Sequence, residues 1–338
     1  MIVTLTVNPS FDRTVELEAA LERGQVQRAV VTGQEPGGKG VNVSRALHAA
    51  GCETLAILPG ASTDPLVVAL EASGIPTATV SIDAPIRSNI TLTEPDGTTT
   101  KLNDPGVHLS AETVAELIEA VVASCVSASW LVLAGSVPPG VPDTFYADLV
   151  RAVRAVPAVP NSAAAQLRIA VDSSGAPLAA LVASGERVDL IKPNAEELLQ
   201  LAESQGLDTG SATHEELEAD PALAVSLAEA LLSPSLGAVL VTLGSHGAVL
   251  VDADAAWLAP APRIVARSTV GAGDCSLAGY VLADQRGDLP AGRLAQAVAH
   301  GAAAASLPGT TVPRLDQTHP EQLVVTTLPR IPAERITL

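Results

Sequence analysis

Ser268-Thr-Val-Gly-Ala-Gly-Asp274 runs without a break into Cys275-Ser-Leu-Ala-Gly-Tyr-Val-Leu282, an apolar stretch with helical spacing. Three small residues, Gly271, Ala272 and Gly273, therefore stand where a loop becomes a helix. The first turn of a helix has backbone N–H groups without partners inside the helix, and the helix dipole adds positive potential there. Small side chains leave those groups open, which favours an anion. Asp274 adds a carboxylate to the same place. An aspartate at a helix start is often only a cap, but a cap does not require three small residues ahead of it. An acid beside an anion cradle suits phosphoryl transfer to a hydroxyl, with one group holding charge and the other taking the proton.

Outside this stretch, composition narrows the possibilities. The chain has 338 residues, 47% of them hydrophobic and only 2% aromatic, so its core is built from Ala, Val and Leu. Its length allows one large domain or two smaller ones. No run approaches a bilayer span, and Met1–Val7 is too short and lacks the basic flank of a signal peptide. Cys52, Cys125 and Cys275 are odd in number and unpaired in spacing, which predicts neither a disulfide framework nor a zinc site and fits a reducing cytoplasm. A net charge of −18 disfavours nucleic acid and acidic membranes as partners. ATP stays open, because local cations outweigh a surface more than a Debye length (~8 Å) away. Only three lysines stand against sixteen arginines. Lys39 and Lys192 lie in turn-like contexts, where a compact ammonium suits a tight phosphate site better than a guanidinium. Lys101 reads equally well as an exposed strand residue.

Hydrophobic periodicity predicts the architecture. A strand over 2–7 ends at Asn8-Pro9, and Gly37-Gly38-Lys39-Gly40 opens a helix that closes at Gly51. Further strands are predicted near 54–58, 77–82, 130–134, 167–172, 188–192 and 237–242. Helices are predicted near 64–73, 110–125, 142–155, 175–183, 194–204 and 213–232. Continuous apolar strands alternating with helices indicate a parallel sheet covered on both faces. Residues 13–32 alternate loosely and suggest a hairpin, and one segment breaks the alternation, a hairpin over 88–102 around Pro95-Asp96-Gly97 that is polar on one face. Paired together, they would form a small sheet over the carboxyl ends of the parallel strands. The Ala- and Pro-rich segment 152–166 reads as a surface loop, and the chain after Leu307 has no strong pattern.

Several motifs end predicted strands: Asn8-Pro9-Ser-Phe-Asp12, Asp172-Ser-Ser-Gly175, Lys192-Pro-Asn194-Ala-Glu196-Glu197 and Thr242-Leu-Gly244-Ser-His-Gly247. Each has a plain structural explanation; Asp12 fits a local turn, and Asn194 fits a helix cap. Together they converge on the edge where parallel sheets bind ligands. Gly33-x-x-x-x-Gly38-Lys39 falls short of a P-loop, because Gly40 stands where Mg²⁺ binding needs Ser or Thr. No Gly-x-Gly-x-x-Gly fingerprint is complete, which disfavours a dehydrogenase. His300 lies in an Ala-rich helix and reads as a packing residue, and Cys275 as a small buried one.

Pro36-Gly-Gly-Lys39-Gly-Val-Asn42, Gly135-Ser136-Val-Pro-Pro-Gly140 and Ser268–Asp274, in that order, resemble the signatures of ribokinase-like (PfkB) carbohydrate kinases. Thr6-Val-Asn8-Pro9-x-x-Asp12 and the Gly-Gly-Lys-Gly-x-Asn variant make the chain most similar to the phosphosugar kinases, above all the 1-phosphofructokinases. The resemblance implies one three-layer α/β/α kinase domain over residues 1–338. Lid hairpins at about 13–33 and 87–104 would be inserted in it, and the lid commonly pairs two subunits. It implies Asp274 as base and the backbone at Gly271, Ala272 and Gly273 as anion hole. Asp12, Gly38, Lys39 and Asn42 would hold the sugar, together with Ser136 and Asp172 on the substrate side. Arg87 and Asn103 would meet the existing phosphate. Lys192 would reach the ATP phosphates, and Asn194 with Glu197 would influence Mg²⁺. Thr242, Gly244 and Gly247 would line the nucleotide pocket. The implied reaction is ATP- and Mg²⁺-dependent phosphorylation of fructose 1-phosphate. Tagatose 6-phosphate and fructose 6-phosphate are the nearest alternative substrates, and a non-catalytic sugar-phosphate sensor is an alternative of another class.

Overall fold

Short strands buried on both faces build the centre of the molecule. The computed structural model describes residues 1–157 and 166–328. In chain order the strands are β1 (Ile2–Leu5), β2 (Ser10–Leu17), β3 (Ala29–Gly37), β4 (Thr54–Pro59), β5 (Thr77–Val80), β6 (Ile90–Thr93), β7 (Thr99–Leu102), β8 (Trp130–Ala134), β9 (Arg168–Asp172), β10 (Leu190–Ile191), β11 (Ala238–Thr242), β12 (Ala248–Asp252), β13 (Ala256–Ala259) and β14 (Thr326–Leu328). The helices are α1 (Lys39–Ala49), α2 (Pro65–Ala72), α3 (Ala111–Ser124), α4 (Phe145–Ala155), α5 (Gly175–Ser184), α6 (Ala195–Ser204), α7 (His214–Ala219), α8 (Pro221–Leu231), α9 (Ala272–Gln285) and α10 (Pro290–Ala305).

Ten strands form one sheet in the order β14-β13-β12-β11-β10-β9-β8-β1-β4-β5. From β5 to β11 every neighbouring pair is parallel. Side chains alternate across this sheet, as the two-residue period of a strand requires. Val3, Leu5, Leu131, Leu133, Ile169 and Val171 pack beneath α3, α4, α5 and α6, while Ile2, Trp130, Val132, Ala170 and Leu190 face α1, α9 and α10. The expected α/β/α layers are present, and helices cover both faces.

A second, four-stranded sheet has the order β3-β2-β6-β7. Its two hairpins are joined by a parallel β2–β6 pairing, with Arg13 opposite Ile90. It rises from the carboxyl edge of the large sheet: β2 begins at Ser10, just past β1, and Ser10 bridges to Arg87.

Four differences from the predicted pattern have identifiable physical causes. Strand β10 has only two regular residues: Asp189 N–H still donates to the Ile169 carbonyl at 2.9 Å, but its carboxylate accepts from Ile169 N–H at 2.8 Å and pairs with Arg154 at 2.9 Å, and Val188 pairs through an isolated bridge to Leu236. The helix predicted over 213–232 is two helices, since Pro221 cannot donate backward and Asp220 caps the second. Strands β12 and β13 extend the sheet antiparallel, linked by a turn in which Asp252 Oδ1 accepts from Asp254 N–H at 2.8 Å and Ala255 N–H at 3.0 Å. The tail contributes β14 to the same edge, where β13 supplies the ladder that its own sequence does not announce. Of the segment read as a surface loop, 152–155 is the end of α4, and 158–165 lies outside the described residues.

Candidate active site

The strand order reverses at β1, which has β4 on one side and β8 on the other. A crevice opens outside the carboxyl ends of parallel strands at such a point, and ligands bind there. Asn8, just past β1, spans it: its Nδ2 lies 3.3 Å from Ser136 Oγ, past β8, and 3.1 Å from the Pro105 carbonyl. Asp172 ends β9, Lys192 follows β10 and Thr242 ends β11. Thr242 N–H donates to the Pro193 carbonyl at 3.1 Å, so the strand ends carrying Lys192 and Thr242 are tied side by side.

Two helices point their N-termini at this edge. Helix α1 starts after Gly38, whose φ of 109° is open to glycine at little cost, and α9 starts after Gly271 at φ 78°. In α9 the first regular backbone bond runs from Cys275 N–H to the Gly271 carbonyl at 2.9 Å. The N–H groups of Gly273 and Asp274 come before it, in the turn where helices leave donors free. Lys192 Nζ faces the same turn, 3.3 Å from where a methyl group on Gly273 would sit.

The ionised side chains meet between these helix ends. Lys39 Nζ lies 2.7 Å from Asp172 Oδ1 and 3.3 Å from Glu197 Oε1, and Lys192 Nζ lies 3.0 Å from Asp172 Oδ2. Burial opposes the charge on Lys39, but Asp172, Glu197 and then Asp274 outweigh it and raise its pKa. Burial would likewise push the Asp172 carboxyl up, yet Lys192 and Lys39 hold it below the usual carboxylate range. Asp274 accepts from Asn42 Nδ2 at 2.8 Å. Burial, then repulsion from Asp172, pushes it up to about 6 against the pull of Lys39, Asn42 and Lys192. A carboxylate in that range is ionised near neutrality and still basic enough to accept a proton.

Lys39 and Asp172, assigned from sequence to the sugar, thus form one ion network with Lys192 and Glu197. Asn42 reaches Asp274 directly. Asn194 and Glu197 make a reciprocal cap on α6, with Glu197 Oε2 accepting from Asn194 N–H at 2.9 Å. Both Glu197 oxygens therefore have partners, and among the described residues no three metal-ligating side chains cluster. Magnesium would fit here carried on substrate phosphates, with Glu197 acting only indirectly.

The lid side differs in detail from the sequence expectation. Asp12 sits within lid strand β2 rather than at the tip of β1, accepting from Ser10 Oγ at 2.7 Å and Asn89 Nδ2 at 3.1 Å. Burial raises its pKa. Gly37 leaves room beneath it, since a Cβ there would lie 2.2 Å from Asp12 Oδ2 and displace the carboxylate. Arg87 spends three donors on backbone carbonyls, with Pro9 at 3.3 Å, Asp104 at 2.5 Å and Asn8 at 3.0 Å. Its guanidinium is thereby fixed at the lid base. Asn103 is exposed on the loop after β7. Gly244 and Gly247 bound the turn between β11 and β12. Sequence reasoning passed over Asn8 and Asn89 as contacts. Asn8 was visible as the residue of the turn just past β1, but nothing near Asn89 points to Asp12.

Residues 6–316 match the family model described as pfkB family carbohydrate kinase. The 1-phosphofructokinase of Haloferax volcanii is 34% identical over 334 residues, 97% of this chain and all of that one. The ATP-dependent 6-phosphofructokinase isozyme 2 of Escherichia coli is 32% identical over 284 residues, 83% of this chain and 84% of that one. A crystal structure of Escherichia coli phosphofructokinase-2 in complex with substrates and products superimposes with a TM-score of 0.81 at 30% identity, covering 94% of this chain and 96% of that one. By its ribokinase-like fold, its signatures and these relatives, the chain belongs to the pfkB family of carbohydrate kinases and is a sugar-phosphate kinase.

Proposed function

We propose that this kinase transfers the γ-phosphoryl group of ATP to the 6-hydroxyl of D-fructose 1-phosphate, giving fructose 1,6-bisphosphate and ADP. The observation that carries this reading is the buried Asp274 carboxylate at the open first turn of α9, faced by the Lys192 ammonium. As the hydroxyl oxygen bonds to the γ-phosphorus, its proton passes to Asp274 and the bond to the β-phosphate oxygen breaks. The backbone at Gly271, Ala272 and Gly273 stabilises charge on the transferring phosphoryl oxygens, chiefly through the N–H groups of Gly271 and Gly273, since Ala272 N–H already donates to the Thr269 carbonyl at 3.4 Å. Magnesium on the phosphates would neutralise part of their charge. Lys192 holds the ATP phosphates, and Thr242, Gly244 and Gly247 line the nucleotide side. Asp12, Gly38, Lys39, Asn42 and Ser136 surround the sugar, with Asp172 fixing both lysines. Arg87, whose guanidinium is already aimed by three carbonyls, meets the existing phosphate beside Asn103.

One kinase domain spans residues 1–338, and the lid joins two copies of the chain. The exposed apolar side chains of Val26, Val30, Val31 and Leu102 on the lid support that pairing. The Escherichia coli relative, phosphofructokinase-2, has itself been solved as a tetrameric inhibited form. Three unpaired cysteines support a reducing cytoplasm, and among the described residues no helix is long and apolar enough to cross a membrane.

ADP release by the purified chain against fructose 1-phosphate, fructose 6-phosphate and tagatose 6-phosphate tests the substrate. Asp274→Asn should lower turnover by about 10²–10⁴-fold while ATP binding persists. Near-normal turnover in that variant removes Asp274 as base. Phosphosugar binding without ADP release from the unaltered chain would instead favour a sensor.

A further inference from the structure

Helix α1 carries a charged residue next to this machinery that the reaction scheme does not use. Arg45 lies three residues after Asn42 on α1, with its side chain only 16% exposed. Its Nη1 is within hydrogen-bond distance of three acceptors: Asn42 Oδ1 at 3.2 Å, the Pro36 carbonyl at 3.1 Å and the Thr310 carbonyl at 3.2 Å. Its Nη2 faces Glu35 Oε2 at 3.7 Å, and Glu35 also accepts from Thr310 Oγ1. The guanidinium thus joins α1 to the end of lid strand β3 and to the segment after α10.

The amide of Asn42 has a donating end and an accepting end, and the residue is only 5% exposed. Its Nδ2 donates to Asp274 Oδ2 while its Oδ1 faces Arg45. Turned over, the amide would set oxygen against the carboxylate and NH₂ against the guanidinium. A cation on one side and an anion on the other therefore admit one orientation only.

We propose that Arg45 is a positioning residue for phosphoryl transfer, holding Asn42 Oδ1 so that Asn42 Nδ2 donates to the Asp274 carboxylate. This rests on reading Asp274 as the base. A donor to a carboxylate stabilises its ionised form, so a freed Asn42 amide leaves Asp274 easier to protonate. The other titratable groups around Asp274 are Asp172 at the end of β9, Lys192 after β10, Lys39 on α1 and the adjacent Cys275 on α9; Arg45 itself faces Glu35 from β3 and lies within electrostatic reach of Asp12 on β2 and of Cys275.

The test is the pH dependence of ADP release by full-length Arg45→Gln and Arg45→Lys, with ATP and either fructose 1-phosphate or fructose 6-phosphate. In Arg45→Gln the acid limb of kcat should move up by about half to one pH unit, a roughly three- to tenfold loss of rate on the acid side. KM for both substrates should stay within about twofold. Arg45→Lys, with the charge but not the fork, should fall between that variant and the unaltered chain. A lowered melting temperature with an unmoved acid limb would mean that Arg45 is merely structural, and would overturn the proposal. If Arg45→Gln does not fold, the limb of Arg45→Lys decides in the same way. Turnover persisting in Asp274→Asn would remove the base and this inference together; an inactive Asp274→Asn with an unmoved limb in the Arg45 variants removes only the latter.

Discussion

Lys192→Met isolates the cost of leaving a buried carboxylate undercompensated. Lys192 and Asp172 approach to 3.0 Å with side chains 4% and 0% exposed. Removing one partner of such a pair costs about 3–5 kcal/mol, because the charge left behind has neither water nor counterion. Lys39 stays 2.7 Å from the other oxygen of Asp172, so the loss here should be smaller. We expect about 2–3 kcal/mol, or on the order of 3–4 °C in Tm at about 1.4 °C per kcal/mol for a chain of this size. Met retains an apolar stem of similar length, so the change is chiefly one of charge. The pH dependence has a definite sign. Because Asp172 is held below its ordinary range, its contribution is present above the unfolded value of about 3.9 and is lost as pH falls through the folded one. The gap between the two proteins should be full at neutral pH and close only below about pH 4. Urea unfolding followed by circular dichroism measures it. The double variant Asp172→Asn/Lys192→Met removes both charges and leaves Lys39 paired with Glu197 at 3.3 Å. It should regain at least about half of the lost stability. A double variant no more stable than Lys192→Met would refute the reasoning.

Gly273→Ala places a methyl group 3.3 Å from Lys192 Nζ, inside the first turn of α9. Its kcat should fall by about tenfold or more, while its urea midpoint holds or rises, because alanine favours a helix by about 0.5–1 kcal/mol. Val31→Glu on the half-exposed lid strand should halve the mass seen in sedimentation equilibrium without changing the circular dichroism of the chain. Burial lowers His300 to about 4, so its neutral form contributes stability fully above the unfolded value and loses it as pH falls from there toward the folded one. His300→Gln should therefore remove about 2 kcal/mol of the stability lost between roughly pH 7.5 and 5, read from urea midpoints at the two pH values.

The parallel sheet, its covering helices and the small sheet were legible in the sequence, because their signals are local. Two-residue and 3.6-residue periods, glycines at helix starts and a Pro-Asp-Gly turn each act within a few residues. The same locality explains the errors. The contacts of Asp189 with Arg154 and Ile169, and the dependence of β14 on β13, join segments distant in sequence, and neither leaves a mark in its own segment. At the site, the glycines and the single acid of 268–274 announced an anion cradle with a carboxylate in it.

Tertiary structure alone decided what that carboxylate touches. Asn42 and Asp274 are 232 positions apart, Lys39 and Asp172 are 133 apart, and Arg45 and Thr310 are 265 apart. For Arg45 in particular, only the return of the chain after α10 gives the guanidinium a task. The sequence by itself thus determined which groups could form a phosphoryl-transfer site and which strand ends would carry them. Their pairing, and the raised pKa of Asp274 with it, came only from burial and from charges that folding brings within about 3 Å of each other, where low dielectric makes such contacts strong.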